Sequence, residues 1–205
     1  MDPRHKAEID RLAELANVGA GQAAGAFAQL VGRTIWMEVP VTVEGDWSAA
    51  SITPASGPTN GDPHWCTGVF FEFDGCLDAL VGILFPGAAS EVLVRRIVGI
   101  ETGELAAPLI ESALMEVGNI LASHVASAIA DTLRARLLPS IPSLAMEDAD
   151  SAFSTWVEDR AGPHALRIES GLRDESGELR GRLVLVPTRW SESESSGLAN
   201  ATHEL

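Results

Sequence analysis

One short polar motif occurs twice in this chain, and the two copies lie 102 residues apart. In each copy an acidic or hydroxyl residue is followed by Glu after four positions, by Asn after seven and by Pro after thirty. The two sets are Asp10, Glu14, Asn17 and Pro40, and Ser112, Glu116, Asn119 and Pro142. Because four residue types rarely recur in register by chance, the motif indicates an internal duplication.

The spacing of the motif places its polar side chains on one side of a helix. Each helical residue turns by about 100°, so positions 0, +4 and +7 fall within roughly 60° of each other. An Asn amide cannot transfer a proton, but it can hold a water molecule through its donor and acceptor groups. Such positioning suits a substrate that is already reactive, for example an aspartyl phosphate, and the Glu would pair with a cation on the partner.

A merely solvated helix surface is the alternative interpretation, and for one copy taken alone it is the stronger one. Two features weaken it. Asn is a poor residue for the middle of a helix, and it is accompanied by Gly19, Gly21 and Gly118. A glycine in a helix interior costs about 1 kcal/mol relative to Ala. We therefore expect a function at both places, where small residues would let the backbone of another protein come close.

Two other kinds of site receive little support from the sequence. The segment GAGQAAG (19–25) resembles a phosphate-binding glycine loop, but the residues before it have helical periodicity. A dinucleotide site requires a strand at that place. The five His and two Cys show no metal-ligand spacing, so we expect no metal site in this chain.

Composition restricts the class of partner. The chain has 205 residues, 46% of them hydrophobic, and a net charge of −15, which disfavours nucleic acid and anionic membranes. We see no signal peptide and no apolar run of about 18 residues, so we expect a cytoplasmic protein without a membrane span. If Asp74-Gly75 is a two-residue hairpin turn, Cys76 faces Phe73 and not Cys66, and no disulfide is expected.

The predicted elements that carry the motif recur in the same order in both halves. Residues 4–32 and 107–136 are predicted as long helices, each with an apolar side opposite its motif, and Gly32 marks the end of the first helix. A strand is predicted over 34–45 and again from 142. A β-hairpin over 65–86 is matched by a second hairpin over 164–188.

Other segments interrupt this regular order. Residues 87–99 are predicted as a short amphipathic helix, and residues 46–64 mostly as loop, with a short strand near Ile52 as an option. The stretch 150–160 is ambiguous between element types. Residues 190–205 are rich in Ser and Glu and are predicted to be an acidic disordered tail.

The duplicated motif resembles the signature of the CheC/CheX/FliY family of chemotaxis phosphatases, and this chain is most similar to CheC because both copies are intact. The resemblance covers roughly residues 5–188. It implies an α/β (α+β) fold, a pseudo-twofold duplicated domain with a mostly antiparallel central sheet and the two long motif helices packed side by side on one face. It also implies that residues 1–189 form a single domain of two repeats, at about 4–99 and 106–188.

The resemblance implies an enzyme that hydrolyses the aspartyl phosphate of a CheY-type response regulator. Asn17 and Asn119 then look like the water-positioning amides, and Glu14 and Glu116 like the carboxylates that pair with the regulator's active-site lysine. Asp10 and Ser112 fill the leading position with a supporting role, and Pro40 and Pro142 shape the entry to a strand.

The resemblance also bears on cofactors and partners. Mg²⁺ would belong to the bound regulator, and this chain would need no cofactor of its own. The deamidase CheD is a further partner that the resemblance permits, and we expect a monomer. The alternative function is a non-catalytic adaptor that binds the phosphorylated regulator or CheD.

Overall fold

The computed structural model describes residues 3–44, 47, 52 and 65–189, and these form four helices and eight strands. The helices are α1 (Pro3–Val31), α2 (Gly87–Val98), α3 (Ala107–Leu133) and α4 (Ala149–Ala161). The strands are β1 (Ile35–Met37), β2 (Val41–Val43), β3 (Trp65–Gly75), β4 (Asp78–Pro86), β5 (Leu137–Pro139), β6 (Ser143–Ala145), β7 (Arg167–Asp174) and β8 (Arg180–Arg189). The predicted loop 46–64, apart from two residues, and the predicted tail 190–205 lie outside the described residues.

All the described strands join one sheet, and every pairing among them is antiparallel. The order is β1-β7-β8-β4-β3-β5, with β2 also on β7 and β6 also on β3. The short strands of the first repeat therefore pair with the hairpin of the second, and those of the second repeat pair with the hairpin of the first. This exchange confirms the predicted antiparallel fold and places the β4–β8 pair at its centre.

Side chains alternate between the two faces of this sheet because successive residues of a strand point to opposite sides. On one face, Phe71 and Val81 pack in the same core as Leu15 of α1, Leu93 of α2 and Leu121 of α3. The two motif helices and α2 therefore share one face of the sheet, as the resemblance implied for the motif helices.

The opposite face is covered by α4. Phe153 of α4 is completely buried and its ring centroid lies 5.1 Å from that of Phe70 on β3. Trp47, Ile52 and Trp65 are buried in the same cluster. Burial of one such aromatic side chain contributes about 1.5–3 kcal/mol to folding. This second core therefore stabilises α4, which contains the stretch 150–160 whose element type was ambiguous from the sequence.

Three local predictions differ from the structure. The predicted strand 34–45 is divided into β1 and β2 on either side of the segment 38–40. Helix α3 ends at Leu133, three residues early, because Arg134 adopts a left-handed φ of 52°. Asp74 and Gly75 are not the hairpin turn: they pair with β5, and the chain turns at Cys76 and the next residue.

Two further sequence expectations also differ from the structure: that Cys76 faces Phe73, and that no segment is long and apolar enough to span a membrane. Ala79, not Cys76, pairs with Phe73, and no disulfide joins Cys66 and Cys76. Helix α3 is long and apolar enough to cross a membrane, the one such helix in the described part of the chain. Its apolar side chains, such as Leu114 and Val117, are buried in the core against the sheet.

Candidate functional site

The first copy of the motif lies on the N-terminal half of α1. Asp10, Glu14 and Asn17 are all exposed and follow one stripe of the helix. The other side of the same turns is in the core, through Leu12 and Leu15. The helix thus holds a carboxylate and an amide three residues apart, on neighbouring turns of a rigid element, and presents both to solvent.

The second copy lies on α3 and repeats this arrangement. Ser112 and Glu116 are exposed and Asn119 is half-buried, while Leu114 and Val117 fix the opposite side of the helix in the core. The structure therefore brings each Glu together with its Asn, as the spacing predicted.

The motif side chains are available to a partner. Asp10 is engaged within α1, where its Oδ2 lies 3.1 Å from Nζ of Lys6. Within the described part of the chain, no hydrogen bond or ion pair holds the side chains of Glu14, Asn17, Glu116 or Asn119. A carboxylate and an amide without internal partners can each accept or donate to a ligand, and their helices supply the rigidity.

The motif prolines stand between the paired short strands. Pro40 separates β1 from β2, and Pro142 separates β5 from β6. Proline has no backbone N–H, so it cannot donate to a neighbouring strand, and pairing is interrupted at that point. Just before the interruption, the backbone N–H of Glu38 donates to Gly171 O at 2.8 Å, and that of Ser140 donates to Glu72 O at 2.7 Å.

The glycines near the motif serve mainly internal packing, which corrects the prediction that they admit another protein. A Cβ on Gly118 would lie 2.5 Å from Cγ1 of Val69 on β3, and a Cβ on Gly19 would lie 2.9 Å from Cγ1 of Val125 on α3. These close approaches exclude any larger residue without movement. Gly21 differs, because it is exposed and has open space around it.

The glycine-rich segment 19–25 does not have the geometry of a phosphate loop. Residues 19–25 lie inside α1, where the helix uses the backbone N–H groups that a phosphate loop would need free. Among the described residues, no group of three or more His, Cys, Asp or Glu side chains is arranged to hold a metal ion. The motif lies on open helix surfaces, and the cleft of about 280 Å³ between α2 and the start of α3 contains none of its residues.

One cluster of charged side chains was not predicted from the sequence. Arg33, just after α1, donates through Nη1 to Asp174 Oδ2 at 2.7 Å and to Glu178 Oε2 at 3.0 Å. These hydrogen bonds, first to Glu178 and then to Asp174, raise the pKa of Arg33. Burial opposes ionisation of Asp174, yet hydrogen bonds from Ser176, Arg33 and the backbone lower its pKa. The partners are 141 residues apart, so sequence spacing gave no signal.

Comparisons with known proteins match the regions of the chain that carry the motif. The model of the CheC-like family matches residues 8–44 and 109–144, which contain both copies of the motif. The CheY-P phosphatase CheC of Bacillus subtilis (strain 168) is 28% identical over 188 residues, 88% of each chain.

Two solved structures illustrate the shared fold. FliY of Thermotoga maritima is 19% identical with a TM-score of 0.62, and the match covers 96% of this chain and 94% of that one. A CheX–CheY–BeF₃–Mg²⁺ complex from Borrelia burgdorferi gives 11% identity and a TM-score of 0.56, covering 83% of this chain and 96% of the matched chain.

Proposed function

We propose that this chain, a CheC-like protein by family match, sequence and fold, is a phosphatase that hydrolyses the aspartyl phosphate of a CheY-type response regulator. The observation that carries the proposal is the duplicated pair of Glu and Asn, presented without internal partners on two matched helices. Its similarity to a CheY-P phosphatase supports the reaction, and a neighbour in fold assembled with CheY, BeF₃ and Mg²⁺ supports the partner.

In the proposed reaction, the amide of Asn17 or Asn119 orients one water molecule in line with the phosphorus–oxygen bond of the aspartyl phosphate. The water oxygen bonds to phosphorus, the bond to the aspartate oxygen breaks, and inorganic phosphate and a free carboxylate result. Because the acyl phosphate is already activated, positioning supplies most of what catalysis requires. Mg²⁺, when held by the regulator, neutralises charge on the phosphoryl group.

The neighbouring residues anchor the complex in this proposal. Glu14 or Glu116 pairs with the regulator's lysine and so fixes the amide of the same helix over the phosphoryl group. Asp10 and Ser112 support the arrangement one turn earlier. Pro40 and Pro142 act structurally, by interrupting strand pairing. We further propose that the protein acts in the cytoplasm as a monomer, with CheD as an additional partner to be tested in binding assays.

Phosphate release from a purified phosphorylated CheY-type regulator tests the function. We expect substoichiometric protein to accelerate release, Asn17→Ala and Asn119→Ala to reduce it, and the double variant to abolish it. Gln22→Ala is the matched control, because Gln22 is an exposed amide on the same helix outside the motif stripe. Tight binding of the phosphorylated regulator without faster release would favour the adaptor function instead.

A further inference from the structure

The two copies of the motif differ in the charges around them. Residues 4–17 carry three basic side chains and three acidic ones, and the basic set is Arg4, Lys6 and Arg11. At the matching positions, 102 residues later, the chain has Ala106, Pro108 and Ala113. The matching segment 106–119 holds two acidic residues, Glu111 and Glu116, and no basic one. The α1 copy is therefore locally neutral and the α3 copy is locally acidic.

The basic residues of α1 lie beside the motif itself. Lys6 and Asp10 form an ion pair in which each side chain is about two-thirds exposed, at 67% and 65%. Arg11 is exposed and lies three residues before Glu14, so the two side chains neighbour each other on the helix surface. The leading carboxylate of this copy is thus offset by a cation that has no counterpart on α3.

The α3 copy presents larger apolar side chains than the α1 copy at two matching positions. Met115, which corresponds to Ala13, is 37% exposed directly before Glu116. Ile110, which corresponds to Glu8, is half-buried one turn earlier. A partner on this helix can bury apolar area, and the charged side chains that residues 106–119 contribute are both acidic.

We propose that ionic strength determines which of the two copies acts on the phosphorylated regulator. This inference rests on the proposed function and deepens it. The α1 copy offers Lys6 and Arg11 for direct contact with anionic groups of the phosphoprotein, and salt weakens those contacts. Besides the pairing of Glu116 with the regulator's lysine, the α3 copy gains apolar contact but meets local repulsion from uncompensated negative charge, and salt relieves that repulsion. Lys6 and Arg11 are accordingly specificity determinants of the α1 copy.

The expected effect is measurable because these charges are exposed. The Debye length falls from about 10 Å at 0.1 M salt to about 3 Å at 1 M, which is shorter than the distance between a surface charge and most groups on a docked partner. The net charge of −15 acts on both copies, so the difference between their salt dependences isolates the local contribution. An exposed charge contributes roughly twofold to threefold to binding, so two basic residues change kcat/KM by about fourfold to ninefold.

Variants with one intact copy test the inference. Asn119→Ala leaves the α1 copy and Asn17→Ala leaves the α3 copy, and kcat/KM for the phosphorylated regulator is measured from 0.05 to about 1 M NaCl, the range in which screening becomes complete. We expect kcat/KM of the α1-only variant to fall by about three- to tenfold and that of the α3-only variant to stay constant or rise.

A variant that removes the charge of Arg11 tests whether this residue causes the salt dependence of the α1 copy. In the Asn119→Ala background, Arg11→Gln is expected to lower kcat/KM at low salt and to flatten its salt dependence, with kcat little changed. Arg160→Gln removes the same charge from α4, on the opposite face of the sheet, and is the matched control.

The outcomes separate this inference from the proposed function. Turnover by both single-copy variants with the same salt dependence overturns the inference and leaves the phosphatase function standing. A flat response to Arg11→Gln overturns the assignment of Arg11 as a determinant. Absence of turnover by the wild-type protein at every salt concentration overturns the proposed function and the inference together.

Discussion

The two faces of the sheet differ in how closely they preserve the duplication. Strand register matches residues 69, 73, 81 and 83 of the first hairpin with 168, 172, 183 and 185 of the second, and all eight are apolar and buried beneath the helices. On the opposite face, the register matches Gly68, Phe70 and Leu80 with Arg167, Glu169 and Arg182. The face beneath the motif helices is therefore matched at these four positions, with Phe71 against Ser170 as an exception, and the other face has diverged at the three positions named.

Two charged side chains that β7 contributes to the diverged face are buried. Arg167 and Glu169 are 3% and 1% exposed, and Nε of the arginine lies 2.7 Å from the carboxylate. The guanidinium carbon of Arg167 lies 4.6 Å from the ring centroid of Trp47. Two equivalent motif helices need equivalent support, whereas the far face can be filled by any satisfied set of side chains. Sequence divergence is thus tolerated where no site depends on it.

The largest expected effect comes from breaking the buried pair. Glu169→Gln leaves Arg167 buried beside an uncharged partner, which typically costs about 3–5 kcal/mol of unfolding free energy. Chemical denaturation measures this loss, and phosphatase activity per folded molecule should be unchanged. Reduced kcat in a protein that unfolds normally would show that the diverged face contributes to function.

Removing both motif amides should reduce activity without reducing stability, the reverse of what is expected for Glu169→Gln. Asn17→Ala with Asn119→Ala is expected to lower kcat by about 100-fold or more, since loss of precise positioning has effects of that size. The unfolding free energy should rise slightly, by up to about 0.7 kcal/mol per site, because Ala is the better helix residue. A double variant that is both inactive and clearly less stable would contradict the view that these amides serve function alone.

A smaller effect is expected from a substitution in α3 where the helix packs against the matched face of the sheet. Gly118→Ala places a methyl group against Val69, and such overpacking costs about 1–3 kcal/mol. Because the clash displaces α3 from the sheet, activity of the α3 copy should fall with stability. Gly21→Ala is the control, since a Cβ there meets open space and should stabilise α1. Thermal unfolding of both variants checks the contrast.

The smallest effect concerns the end of α1. Asp174→Asn should lower stability at pH 7 by about 1–2 kcal/mol through weaker hydrogen bonds with Arg33. The pKa of Asp174 is lowered in the folded state, so its contribution is present above the ordinary value of 3.8 and is lost as the pH falls through the lower folded value. Unfolding measured from pH 7 to pH 3 should therefore show a weaker acid dependence in the variant. An identical acid dependence in both proteins would exclude this role.

The sequence predicted the elements that carry strong local signals. The long helices, the hairpins and the pairing of Glu with Asn on one helix side followed from periodicity and spacing. The close fit of Gly118 against Val69 was hidden, because the contact joins residues far apart in the chain. The Asp74-Gly75 turn was predicted wrongly, since pairing with β5 outweighed the local turn preference. The pairing of β1 with β7 has no local signal either.

That exchange of short strands has a consequence for how the two halves depend on each other. The first repeat supplies β1 and β2 to the hairpin of the second, and receives β5 and β6 in return. A chain with a single repeat would leave its hairpin edge unpaired and its own short strands without a sheet. Two identical copies could satisfy each other by the same exchange. The pairing of the two halves is therefore equivalent to that of a homodimer whose two chains are joined into one polypeptide.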